Sequence, residues 1–125
     1  MLHPPRDVSI SVRPSCSSSV KPVAAGQLGT VRVALLGVAN FDASQVDTSS
    51  LAFHGAKALS VVTEDVNHDG IPDLVATFHS SEVKLQPHAT VARLTGWTKN
   101  GRSFSGEDNK IRVVPSLAGE DPSCR

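Results

Sequence analysis

The chain has 125 residues, of which 12 are basic and 12 acidic, so its formal net charge is zero. That length closes a hydrophobic core as one domain, 1–125 with its folded part at about 7–115, and the even charge removes the electrostatic footprint of a nucleic-acid binder. Aromatic residues make up 4% and Tyr is absent, which leaves little from which to build a stacking platform; the longest apolar stretch, "VALLGVA" at 33–39, is far too short to cross a bilayer.

Apolar residues recur at every second position along most of the chain, the signature of half-buried strands. "DVSISVR" (7–13) places Val8, Ile10 and Val12 on one face. A polar connection, "PSCSSSVKPVAAGQ" (14–27), follows. "GTVRVALLG" (29–37) alternates again through Val31, Val33 and Leu35. "NFDASQVDTSS" (40–50) reads as a connection with a helical turn, in which Asp42 and Asp47 order the backbone by Asx-turn bonding. "SLAFHG" (50–55) and "ALSVVTE" (58–64) are short strands. "DLVATFH" (73–79) turns Leu74, Ala76 and Phe78 inward. "SSEVKLQPH" (80–88) holds a second helical turn. "TVARLTGWT" (90–98) and "RSFSG" (102–106) flank Asn-Gly, a strong hairpin signal, and "NKIRVVP" (109–115) closes the pattern. No amphipathic helix of ten or more residues is present. The expected fold is all-β: an antiparallel sandwich of seven or eight strands separated by Gly, Pro, Asn, Asp and Ser clusters.

Between the fourth and fifth expected strands lies "DVNHDGIPD", residues 65–73. With Asp65 as position one, Asn67 is three, Asp69 five, Gly70 six, Ile71 seven and Asp73 nine. Alternate side-chain oxygens, a backbone carbonyl at seven and a glycine at the sharp bend are what a calcium ion requires. Without a cation, the three carboxylates repel one another across a few ångströms. Asp65, Asn67, Asp69, Ile71 (through its carbonyl) and Asp73 are therefore the expected calcium ligands. The loop is not an EF-hand: position twelve is Ala76, Pro72 sits at position eight, and a strand follows. His68 points outward at position four. The remaining histidines, His3, His54, His79 and His88, lack ligand spacing.

Around this loop, the pattern "VRVALLGVANFDASQVDTSSLAFHGAKAL…EDVNHDGIPDLVATFHSSEVKL…ATVARLTGWTKNGRSFSGEDNKIRVV" resembles an uncharacterised Ig-like domain of secreted bacterial multidomain proteins, over about residues 7–115. The loop itself looks like those of FG-GAP, thrombospondin type 3 and dockerin repeats. The resemblance implies an extracellular or cell-surface accessory module without catalytic activity, and carries over only the five loop ligands. This sequence departs from the family at His68, where Gly is common, and at Cys16.

The chain carries none of the catalytic motifs G-x-S-x-G or H-E-x-x-H and no Gly-rich phosphate loop. Carboxylates outside the loop, among them Glu82, Glu107 and Asp108, fall in turn contexts. Three function classes remain open: a calcium-stabilised spacer between neighbouring domains; a module binding surface glycans or proteins, with Trp97, Asn100 and Arg102 of the hairpin as its contact surface; and a self-assembling filament or coat subunit that joins its like through exposed edge strands. Trp97 is expected in the core. Cys16 and Cys124 are either unrelated thiols or, if the first and last strands run parallel and leave one end of the sandwich together, a bridge between the termini.

Overall fold

The computed structural model describes residues 6–14, 20–37, 41 and 43–115. Ten strands fall within them: β1 (Arg6–Val12), β2 (Lys21–Val23), β3 (Thr30–Leu35), β4 (Ala52–Phe53), β5 (Ala56–Lys57), β6 (Ser60–Glu64), β7 (Asp73–His79), β8 (Ala92–Trp97), β9 (Ser103–Asp108) and β10 (Ile111–Val113). Eight of them form a continuous run in the order β5-β4-β8-β9-β1-β3-β7-β6, curled into a half-barrel, and β2 pairs with β10. The fold is thus an all-β sandwich.

The sandwich is joined by β1. Its first half pairs in parallel with β9 (Arg6↔Phe104 to Ser9↔Glu107). Its second half pairs antiparallel with β3 (Ile10↔Leu35 to Val12↔Val33). The strand therefore passes from one layer to the other while its alternation keeps Val8, Ile10 and Val12 toward the interior. Facing them are Val31, Val33 and Leu35 of β3, Leu74, Ala76 and Phe78 of β7, and Leu94 and Phe104 of β8 and β9. Two aromatic contacts reinforce the core: the Phe53 and Phe78 rings lie 5.4 Å apart, and Phe41 meets Phe104 edge-on at 5.8 Å. Such pairs are each worth about 0.5–1.5 kcal/mol beyond the area they bury.

Two strands go beyond the expected eight. The segment 14–27 contains β2, which pairs in parallel with β10 (Ile111↔Lys21 to Val113↔Val23). Val23 and Ala24 are buried there, and Pro22 is tolerated because β2 has only one strand neighbour among the described residues. The segment 50–55 is not one strand: His54 and Gly55, at φ 48° and 89°, turn the chain back so that Phe53 pairs with Ala56. Positive φ at both central residues is the mark of the tightest hairpin turn, here built on His-Gly in place of Asn-Gly. The helical turns expected in 40–50 and 80–88 are short 3₁₀ turns at Ala43–Gln45, Thr48–Ser50 and Ser80–Glu82. Asp47 caps the second of these, its Oδ1 accepting the Ser49 N–H at 3.1 Å. Asp42, Cys16 and Cys124 lie outside the described residues.

Candidate functional site

The acidic loop joins two paired strands. β6 and β7 run antiparallel from Ser60↔Thr77 to Glu64↔Asp73, so Asp65 leaves β6 where Asp73 enters β7. Between them the chain bends at His68 (φ 57°) and Gly70 (φ 84°). Both are left-handed positions, favoured by glycine.

The loop's own N–H groups aim inward. Asp65 Oδ1 accepts the Asp69 N–H at 3.2 Å and its Oδ2 the Gly70 N–H at 2.8 Å, while Asp69 Oδ1 accepts the Ile71 N–H at 2.9 Å. One arm of the Asn67 amide lies 3.1 Å from both Asp65 Oδ1 and Asp69 Oδ1. With its NH2 in that position, Asn67 donates to both carboxylates and relieves part of their repulsion. Turned over, the amide brings a third oxygen to the same point.

Asp73 behaves differently. It is completely buried. Its Oδ1 accepts the Gly37 N–H at 2.7 Å, beyond the end of β3, and its Oδ2 accepts the Val66 N–H at 3.0 Å. It thereby fastens the base of the loop to two strands. Gly37 is required by space: a Cβ there would overlap the Pro72 carbonyl oxygen and come within 3.0 Å of the Ile71 side chain. Of the five expected ligands, the structure gathers Asp65, Asn67 and Asp69, while Asp73 is buried at the start of β7 with both its oxygens bonded to the Gly37 and Val66 N–H groups. Among the described residues no group of three or more His, Cys, Asp or Glu side chains is positioned to hold a metal. The carboxylates of Asp65 and Asp69 offer only oxygens, the donor that calcium takes.

The second candidate surface is the outer face of β8 and β9. Trp97 is 50% exposed, against the expectation that it is a core residue. Along β8 the interior takes Ala92, Leu94 and Gly96, so Arg93, Thr95 and Trp97 face outward. The turn after Trp97 is closed by the Thr98 N–H on the Arg102 carbonyl and the Gly101 N–H on the Thr98 carbonyl, both 2.8 Å, with Gly101 at φ 87°. Asn100, bonded to the Thr98 hydroxyl, and Arg102 are exposed at its tip. Further along this face an open cleft of about 510 Å³ is lined by Ala52, His54, Gly55, Arg93, Thr95 and Glu107, among others. Its charges are already matched: Arg93 pairs with Glu107 at 2.9 Å. His54 Nε2 accepts the Arg93 N–H at 2.8 Å. Burial, and then the nearby Arg93 charge, holds this imidazole below its ordinary pKa, as suits an acceptor nitrogen.

Sequence reasoning missed Asp108. It is not in an exposed turn but sits 7% exposed at the end of β9, where its Oδ2 bonds Lys21 Nζ at 2.7 Å. The same oxygen accepts the Val12 N–H, and Oδ1 accepts the Lys110 N–H, each at 2.9 Å. Burial raises the carboxyl's pKa, but the Lys21 hydrogen bond, the two backbone N–H groups and the Lys21 charge outweigh it, and the net shift is downward. This is a structural clasp of β1, β2 and the turn before β10.

Compared with known proteins, the chain matches no family model, no curated protein and no solved structure.

Proposed function

We propose that this chain is a non-catalytic structural module of a secreted or cell-surface protein, stabilised by calcium in the loop 65–73. What supports the reading is the convergence of Asp65, Asn67 and Asp69 on one point, at the joint between two strands. Calcium there would be held by Asp65 and Asp69, by the Asn67 oxygen with the amide turned over, and by the Ile71 carbonyl, with water completing the shell. Asp73 would contribute through its remaining lone pairs while fixing the loop to Gly37. The ion would turn mutual repulsion into a staple across β6 and β7. Titration calorimetry of metal-stripped protein, with magnesium as control, tests this; the expected affinity lies between about micromolar and millimolar. No heat, and no calcium-dependent rise in melting temperature at millimolar ion, would refute it.

A second reading, a module that binds glycans or proteins, rests on the half-exposed Trp97. Aromatic side chains standing free of the core are enriched at recognition surfaces. A Trp97→Ala protein that retains the wild-type melting temperature and loses binding on a glycan array would support it.

A further inference from the structure

The two ends of the eight-stranded run are finished differently. At one end β5 is two residues long and carries the exposed Lys57. Beside it, His54 Nε2 takes the Arg93 N–H at 2.8 Å. A very short strand, an outward lysine and a side-chain cap are devices that keep a sheet edge from pairing with another chain. At the other end β6 has five residues, Ser60–Glu64, every one in register with β7. It has no lysine and no proline, and Ser60, Val62, Thr63 and Glu64 are exposed. No strand lies on its outer side among the described residues.

A second observation concerns the outer face of this layer. The registers align Ala34 of β3 with Val75 of β7, and Val75 with Val62 of β6. Along this apolar row exposure is 0% at Ala34 and 1% at Val75, then 52% at Val62. Arg32 and Glu64 belong to the rows on either side, so their 3.3 Å ion pair crosses over the row and shields Val75. The row simply stops at an open edge.

We propose that β6 is a self-association edge, through which two copies of this chain pair antiparallel about a two-fold axis at Val62. A second copy fits because the strand is self-complementary in that register. Val62 meets its counterpart and carries the apolar row across the junction. Val61 meets Thr63, and Ser60 meets Glu64, so neither carboxylate faces its like. An interface of this kind uses the same patch on both copies and closes as a dimer. The inference rests on the fold and not on calcium in the loop.

Sedimentation velocity from about 1 µM to about 1 mM should show a monomer passing into a dimer. Hydrogen exchange at the two ends of that range should show added protection in residues 60–64 and nowhere else. Val62→Lys, which puts two ammonium groups at the axis, should abolish the dimer, while Leu28→Lys, at a position 95% exposed between β2 and β3, should leave it intact. A monomer throughout, a dimer that survives Val62→Lys, protection gained elsewhere, or growth beyond two copies would each overturn the proposal. Should Val62→Lys fail to fold, the exchange pattern of the unaltered protein decides.

Discussion

Replacing Asp108 by alanine should be among the most damaging single changes to this fold. The carboxylate is 7% exposed and its Lys21 partner 13% exposed, so neither charge is well hydrated. Its removal strands the ammonium and leaves the Val12 and Lys110 N–H groups without their acceptor. Breaking a buried pair from one side costs about 3–5 kcal/mol. The two amides fall within that figure and are not added to it, since all share one carboxylate. For a domain of this size the loss corresponds to about 12–20 °C in melting temperature. Differential scanning calorimetry at pH 7 reads it directly. Asp108→Asn, which keeps an acceptor oxygen but no charge, should fall between alanine and the unaltered protein. Asp108→Ala combined with Lys21→Met should recover part of the loss, because no ammonium is then stranded. The pH dependence has a fixed sign. The folded carboxyl is held below its ordinary range, so its contribution is complete above the unfolded value of about 3.9 and is lost as pH falls through the folded one. A cost under about 1 kcal/mol for Asp108→Ala, or a double variant no more stable than the single one, would refute this account of the clasp.

Asp69→Ala should lose most of any calcium-dependent gain in melting temperature, yet be neutral or mildly stabilising in calcium-free buffer, where it removes repulsion with Asp65; equal losses in both buffers would make Asp69 a purely structural residue. Gly37→Ala should destabilise by about 1–3 kcal/mol, the usual penalty of overpacking, because the new methyl must displace the Pro72 carbonyl and with it the Gly37–Asp73 bond. A denaturant midpoint unchanged by that substitution would contradict the close approach.

Most of the strands are legible because they obey the period-two rule over at least a few residues. β7 is the clearest case, with Leu74, Ala76 and Phe78 inward. β2 is not legible: three residues with a proline at their centre carry too little periodicity, and what orders them is a partner near the far end of the chain. The His54–Gly55 turn escaped notice because a histidine stood where asparagine usually supplies positive φ. The loop 65–73 is readable residue by residue, since its spacing is local, but of the two hydrogen bonds that Asp73 accepts, from Gly37 and Val66, the first depends on a contact 36 positions away. Trp97 was misassigned although the signal was present: Arg93 and Thr95, at the same parity, already mark the outer face of β8. Asp108 gave no signal at all, for its partners come from β1, β2 and the turn before β10.

The junction strand β1 also sets a timetable. It is made before β9, yet about half of its hydrogen-bonding length is complementary to that strand, from Arg6↔Phe104 to Ser9↔Glu107. At a synthesis rate of about 5–20 residues per second, the intervening stretch of about a hundred residues takes about 5–20 s to emerge. During that interval β1 can dock only antiparallel on β3, through Ile10–Val12, and its first half waits with unpaired amides. Such waiting edges recruit other nascent chains. The order of synthesis therefore leaves the first half of β1 open to other chains until β9 has emerged.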